Sequence, residues 1–285
     1  MTITIDGRSG PFSQPVTVDT AIKTLYPDLP LPALGALSGS AVLELGHVLT
    51  GDAALSVITY AHEEGRRIYE RALRFVILLA AKHRFPDAQL HIEHSMGQGV
   101  YMELDGMRLT PPDVITLEED MRQIIREDLP FSQHRWTREE AIEYFEITGQ
   151  TDKSRLLGYR PYDHFNIYEC GGLHEYFYGA MLPSTGLTPV FRLQPRPPGM
   201  LMLLPDQANP SQPARPLIAP KHMAAFAQSN YWCDVLGCSM AADLNDLIAS
   251  GGFRDFIRVN EALHDKSLAE LAQDIVNRDA RAIFI

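Results

Sequence analysis

Gly65–Leu104 reads GRRIYERALRFVILLAAKHRFPDAQLHIEHSMGQGVYMEL, and its periodicity decides how the rest of the chain is placed. From Ile68 to Ala81 apolar residues recur at intervals of three and four: Ile68, Ala72, Phe75 and Leu79, flanked by Tyr69, Leu73, Val76 and Ala80. So wide an apolar stripe predicts a helix lying on a sheet. Phe85-Pro86 ends it, because proline cannot continue a helix and pushes the residue before it into extended geometry. Gln89–Glu93 and Val100–Leu104 then alternate apolar and polar, the period of half-buried strands, with Gly97 and Gly99 in the turn between them.

Composition narrows the function classes. The chain has 285 residues, 45% hydrophobic and 21% charged, which is ordinary for a soluble globular protein and long enough for more than one domain. A net charge of −11 disfavours a nucleic-acid partner, whose contact surface is usually basic. The opening MTITIDGRSG has neither the cationic flank nor the apolar core of a signal peptide. The longest apolar run, Phe75 to Ala81, is too short to span a bilayer, so no membrane association is expected. Cys170, Cys233 and Cys238 are too sparse for a disulfide framework, and a cytoplasmic location follows.

Residues 1–60 read as a small β-grasp module: a strand at Thr2–Ile5, a turn at Asp6-Gly7, a strand near Val16–Val18, a helix capped by Asp19 and running to Leu25, and strands at Ala41–Leu45 and Ala54–Thr59. Residues 61–208 add two capping-box signatures, Thr116–Glu119 and Thr137–Glu140. The helices that follow are expected to end near Asp128 and Gly149. Strands are expected at Phe165–Tyr168, Val190–Leu193 and Met200–Leu204. The result is an α+β domain with helices packed on an antiparallel sheet. Residues 209–285 begin with a Pro-rich linker through Pro220. Helices over Lys221–Leu236, Met240–Ser250 and Asn260–Asn277 follow, and then an apolar strand ending at Ile285.

Several motifs carry a resemblance: Gly65-Arg66-Arg67-Ile68-Tyr69, Phe85-Pro86-Asp87-Ala88, Ile92-Glu93-His94-Ser95, Tyr168-Glu169-Cys170-Gly171, Tyr176–Gly179, Met181–Gly186 and Glu261–Lys266. In order and spacing they resemble the second N-terminal domain of threonyl- and alanyl-tRNA synthetases, and more closely the version fused in front of a uridine-kinase or phosphoribulokinase-type nucleoside kinase. Residues 1–60 resemble the TGS domain that precedes it. The fused form implies an accessory region that binds a small ligand or regulates a P-loop kinase domain in cis. ATP and Mg would sit in that domain, and a uridine-like nucleoside would be its substrate. No G-x-x-x-x-G-K-[ST] occurs in these residues, so the resemblance implies a chain cut before the phosphate loop, with Ala282–Ile285 as the strand leading into it. The rival readings are an aminoacyl-tRNA editing-like hydrolase and a structural interaction module.

Cys170-Gly-Gly-Leu-His174 is the sharpest constellation, since a thiolate and an imidazole at this spacing can share a zinc ion. In the editing domains this region resembles, a C-x-x-x-H joins an H-x-x-x-H on the first helix to form the hydrolytic site. The positions of that helical pair are held here by Arg71 and Phe75, and the editing chemistry is not carried over. A zinc site of His94, Cys170 and His174 is one reading. A buried cysteine with two hydrogen-bonded histidines is the other. A polar pocket built from His94, Ser95, Tyr101, Cys170, His174, Tyr178, Ser184 and Thr185 suits a nucleoside, nucleotide, amino acid or adenylate-like ligand. Arg67, Arg71 and Arg74 form a cationic stripe. Glu63 and Glu70 stand four residues before Arg67 and Arg74, which makes a salt-bridged face the simpler account and leaves Arg71 as the exception. No G-x-S-x-G elbow is present.

Overall fold

A computed structural model describes residues 1–217, 220–279, 281 and 282. The chain divides into two compact units, residues 1–135 with 166–218 and residues 136–165 with 219–285.

The first unit opens with β1 (Thr2–Ile5) and β2 (Arg8–Pro11), a hairpin turned at Asp6-Gly7. β3 (Val16–Thr17) is short because Val18 already belongs to α1 (Val18–Leu25). Thr17, not Asp19, caps that helix: its hydroxyl accepts from the Thr20 N–H at 3.2 Å. Next come β4 (Ala33–Ser38), β5 (Ala41–Leu43), β6 (Val48–Leu49) and β7 (Ala53–Thr59). β4 is absent from the sequence reading because its run of small and apolar residues, Ala-Leu-Gly-Ala-Leu-Ser, does not alternate. The five-stranded sheet has the order β2-β1-β7-β4-β5, with β1 and β7 parallel. Val18, Ala21 and Ile22 of α1 share one core with Ile3, Ile5, Leu55 and Val57.

α2 (Glu63–Arg84) is the expected amphipathic helix. It buries Ile68, Tyr69, Ala72, Leu73, Phe75, Val76 and Leu79 and is closed by Phe85. Glu63 and Glu64 in its first turn, and Lys82, His83 and Arg84 in its last, complement the helix dipole. β8 (Leu90–Met96) and β9 (Gly99–Leu104) pair antiparallel, with a register shift between Ile92 and His94. α3 (Pro111–Glu127) starts more than a turn ahead of the Thr116 signature. Thr110 and Asp113 form the capping box, and Pro111-Pro112 suit a first turn that needs no N–H partner there. The Thr116 hydroxyl donates instead to the Pro112 carbonyl inside the helix at 2.9 Å. β10 (Ser132–Thr137), β11 (His164–Cys170) and β12 (Leu173–Glu175) form a three-stranded sheet. β13 (Arg192–Arg196) and β14 (Gly199–Leu203) complete an antiparallel sheet of order β13-β14-β9-β8. The inner face of that sheet, with Val100, Met102, Met200 and Met202, packs in one core with α2 and α3.

The second unit holds α4 (Arg138–Ile147), α5 (Thr151–Gly158), α6 (Pro220–Val235), α7 (Ala241–Ser250) and α8 (Phe253–Asn277). The Thr137/Glu140 capping box starts α4 as its sequence predicts. Arg155 of α5 pairs with Asp243 of α7 at 2.9 Å and also with Asp246. Gly251, at φ 81°, ends α7, and Gly252 caps α8 directly, so α8 begins earlier than the expected Asn260. Of the expected terminal strand Ala282–Ile285, residues 283–285 lie outside the described residues. Helices and largely antiparallel sheets make the class α+β, as the sequence indicates. Among the described residues no helix is long and apolar enough to cross a membrane.

Candidate functional site

The Cys170/His174 motif sits on a two-residue hairpin. Gly171 and Gly172, at φ 58° and 82°, supply the positive dihedrals that this turn requires. Cys170 is thereby paired with Leu173, and Glu169 with His174. Directly opposed residues share a face and the face alternates along a strand, so Cys170 and His174 point to opposite sides of the hairpin. Cys170 is fully buried in the core with Tyr168, and burial, reinforced by the Glu169 charge, pushes its thiol up to about 12. His174 lies on the Glu169 side with its ring 5.9 Å from that of His134, and its pKa is lowered by burial.

His94 stands opposite Tyr101 on β9, its ring 5.2 Å from the Tyr101 ring. Tyr101 alternates with the core residues Val100 and Met102, so both rings lie on the sheet face turned away from α2. The fold does not gather His94, Cys170 and His174. Among the described residues no group of three or more His, Cys, Asp or Glu side chains is arranged to hold a metal ion. The donor set does not fit zinc.

The two helical positions of the editing motif are filled differently. The Phe75 ring packs edge-on to Phe131 at 5.3 Å and against Phe177 at 5.7 Å, with no exposed surface. Arg71 donates through Nη1 to the Ala180 carbonyl, and burial lowers its pKa. A Cβ on Gly179 would come within 2.7 Å of Arg71 Nη2, so the bare glycine lets the main chain lie against the guanidinium. Arg71 lines an open cleft of about 300 Å³ with Arg67, Glu70, Arg74, Phe177 and Tyr178. Arg67 pairs with Glu63 at 2.5 Å, and Arg74 with Glu70, as the spacing predicts.

Of the eight residues expected to form a pocket, the cleft holds Tyr178, 87% exposed, beside the separately noted Arg71. Tyr101 is buried and bonded within its sheet, donating to Glu103 Oε1 at 2.7 Å and accepting from the Gly199 N–H at 3.1 Å. Ser95 is exposed on β8. Ser184 forms a backbone bridge with Pro130. The buried Thr185 hydroxyl donates to the Ile124 carbonyl and accepts from the Leu129 N–H, both at 2.9 Å, which ties the end of α3 to the Ser184-Thr185 turn.

Glu44, just past β5, was not singled out by the sequence. Its Oε1 accepts from the Tyr168 hydroxyl at 2.7 Å and from the Met181 N–H at 2.9 Å. Gln133 donates to the Tyr168 hydroxyl at 2.9 Å. This carboxylate joins residues 1–60 to β11 and, at Met181, to one end of the Tyr176–Met181 loop that bounds the cleft.

No family model matches the chain. It is similar to a threonine–tRNA ligase from Desulforamulus reducens, 32% identical over 183 residues, covering 64% of this chain and 29% of that protein. Threonine–tRNA ligases from Symbiobacterium thermophilum and Burkholderia ambifaria match at 31% and 30% identity over 190 residues, 66% of this chain. The chain spans about 30% of the length of these relatives. They correct the nucleoside-kinase reading: the proteins that the chain resembles bear a synthetase name, and the uridine-kinase assignment, with its accessory role, falls. The synthetase half of the resemblance is the part that stands.

Proposed function

We propose that this chain acts in aminoacyl-tRNA chemistry as a recognition region of the synthetase type. It holds an aminoacyl-nucleotide ligand in the α2 cleft without hydrolysing the ester. One observation carries this reading: the helical positions where the editing motif places its histidines hold a carbonyl-bound guanidinium, Arg71, and a core ring, Phe75. Hydrolysis needs a group that activates water at the ester. Cys170 is a protonated core thiol, and His174 lies on the other side of its hairpin. The similarity to threonine–tRNA ligases supports the scaffold. The net charge of −11 favours recognition of the small aminoacyl-nucleotide end over the polyanionic body of a tRNA. We place the protein in the cytoplasm, where its three free thiols stay reduced.

Two assays test this. Mischarged aminoacyl-tRNA incubated with the chain is expected to deacylate at the uncatalysed rate. Release that disappears on Cys170→Ala establishes the editing hydrolase instead. A non-hydrolysable aminoacyl-adenosine ester is expected to raise the Tm. No shift with any such ester favours a purely structural module.

A further inference from the structure

The cleft places three guanidiniums against one lining carboxylate, Glu70. Arg67 and Arg74 have their own i,i+4 carboxylates. Among the described residues Arg71 has no carboxylate within ion-pair distance. Its one side-chain hydrogen bond is to the neutral Ala180 carbonyl, and the main chain at Gly179 lies close against the group. Burial works against this charge, the Glu64 and Glu44 carboxylates support it only from beyond pairing distance, and an anion arriving in the cleft supplies the contact partner it lacks. Guanidinium presents a planar fork of donors that fits phosphate two bonds at a time. Beside it, Tyr178 offers an 87% exposed ring on the same cleft, a surface on which a planar base stacks. A volume near 300 Å³ suits a single nucleotide and not a longer strand.

We propose that Arg71 is the anion-binding element of this cleft and that the ligand is a nucleoside monophosphate unit, its phosphate on Arg71 and its base on Tyr178. The proposal rests on the recognition reading above and adds the phosphate to it. Such a unit occurs in a free adenylate and at the terminus of an RNA strand.

The test is calorimetric titration of the whole chain with AMP, adenosine, inorganic phosphate and a trinucleotide ending in adenosine. AMP is expected to bind at least ten times more tightly than adenosine, and phosphate to compete with it. AMP binding without trinucleotide binding assigns the free adenylate, and equal binding assigns the strand terminus. Arg71→Gln is expected to remove the tenfold preference while leaving adenosine affinity unchanged. Arg71→Lys keeps the charge, loses the fork, and is expected to recover only part of the preference. Tyr178 is exposed, so Tyr178→Ala leaves folding intact and should weaken AMP and adenosine alike. Equal affinity for AMP and adenosine in the native chain, or an AMP affinity untouched by Arg71→Gln, overturns the proposal. If a non-hydrolysable aminoacyl-adenosine ester binds while AMP gains nothing from its phosphate, the phosphate assignment falls and the recognition reading stands. If neither binds, both fall.

Discussion

The Tyr168 hydroxyl donates to Glu44 Oε1 at 2.7 Å across 124 residues of chain, and the same oxygen accepts from the Met181 N–H. A hydrogen bond to a charged acceptor contributes roughly 1.5–3 kcal/mol when its partners are partly buried. Glu44→Ala takes the acceptor from the Met181 amide and leaves the Tyr168 hydroxyl with Gln133 and the Gly179 carbonyl, and is expected to cost about that much in urea unfolding. Tyr168→Phe should cost less, and the double variant less than the sum of the two, because they share one interaction. The pair also sets a pH dependence. Burial and the Glu44 bond raise the Tyr168 pKa above its ordinary 10.0, so the fold favours the protonated phenol. That contribution is complete below pH 10 and is lost as pH rises beyond it. Tyr168→Phe is therefore expected to flatten the fall in stability between pH 9 and pH 11.

Gly179 stands at φ 103°, where an L side chain is strained, with Arg71 Nη2 2.7 Å from where its Cβ would sit. Gly179→Ala is expected to cost about 1–3 kcal/mol in urea unfolding from the backbone alone. It should also push the guanidinium off the Ala180 carbonyl. A surface glycine with no such neighbour, such as Gly46, is the control: alanine there should change stability little.

Cys170 is fully buried, and its thiol is pushed from 9.0 to about 12. A raised pKa means that the fold holds the thiol form. This favours folding below pH 9 and fades as pH rises towards 12. Only thiolate attacks an alkylating agent. In the native chain at pH 8, iodoacetamide should modify the part-exposed Cys233 and Cys238 and spare Cys170, which reacts only in urea. Rapid native labelling of Cys170, read by mass spectrometry, contradicts this picture.

What the sequence disclosed and what it hid divide along physical lines. α2, β9 and α4 were legible because a periodic apolar face or a capping box is local information. Two threonines precede acidic residues at the capping spacing, and the prolines at 111 and 112, which suit a first turn, are the local signal that marks Thr110 and not Thr116 as the cap. The opposite facing of Cys170 and His174 was readable in principle. Two glycines between strands signal a two-residue turn, and such a turn pairs Cys170 with Leu173. The β8 register shift that carries His94 to the outer face has no such signal, and neither does Glu44, whose partners are more than a hundred residues away. The kinase reading failed for another reason: motifs in order and spacing identified the scaffold, but they did not distinguish the proteins that share it.

The hairpin register gives the strictest test of the site. If only the helical pair were missing, Arg71→His with Phe75→His would rebuild an H-x-x-x-H beside C-x-x-x-H and take up zinc. The structure predicts otherwise. The imidazole at position 75 would enter a fully buried aromatic cluster, and Cys170 would still face the core while His174 faces Glu169. Four zinc ligands must converge within about 2.0–2.3 Å of one point. Phe75→His alone is expected to cost several kcal/mol, as loss of a core ring does. The double variant, refolded with zinc and desalted, should retain far less than one equivalent by elemental analysis and gain no deacylase activity. One tightly held zinc per chain would show that the hairpin can turn both side chains to the same side, and would return the editing chemistry to this scaffold.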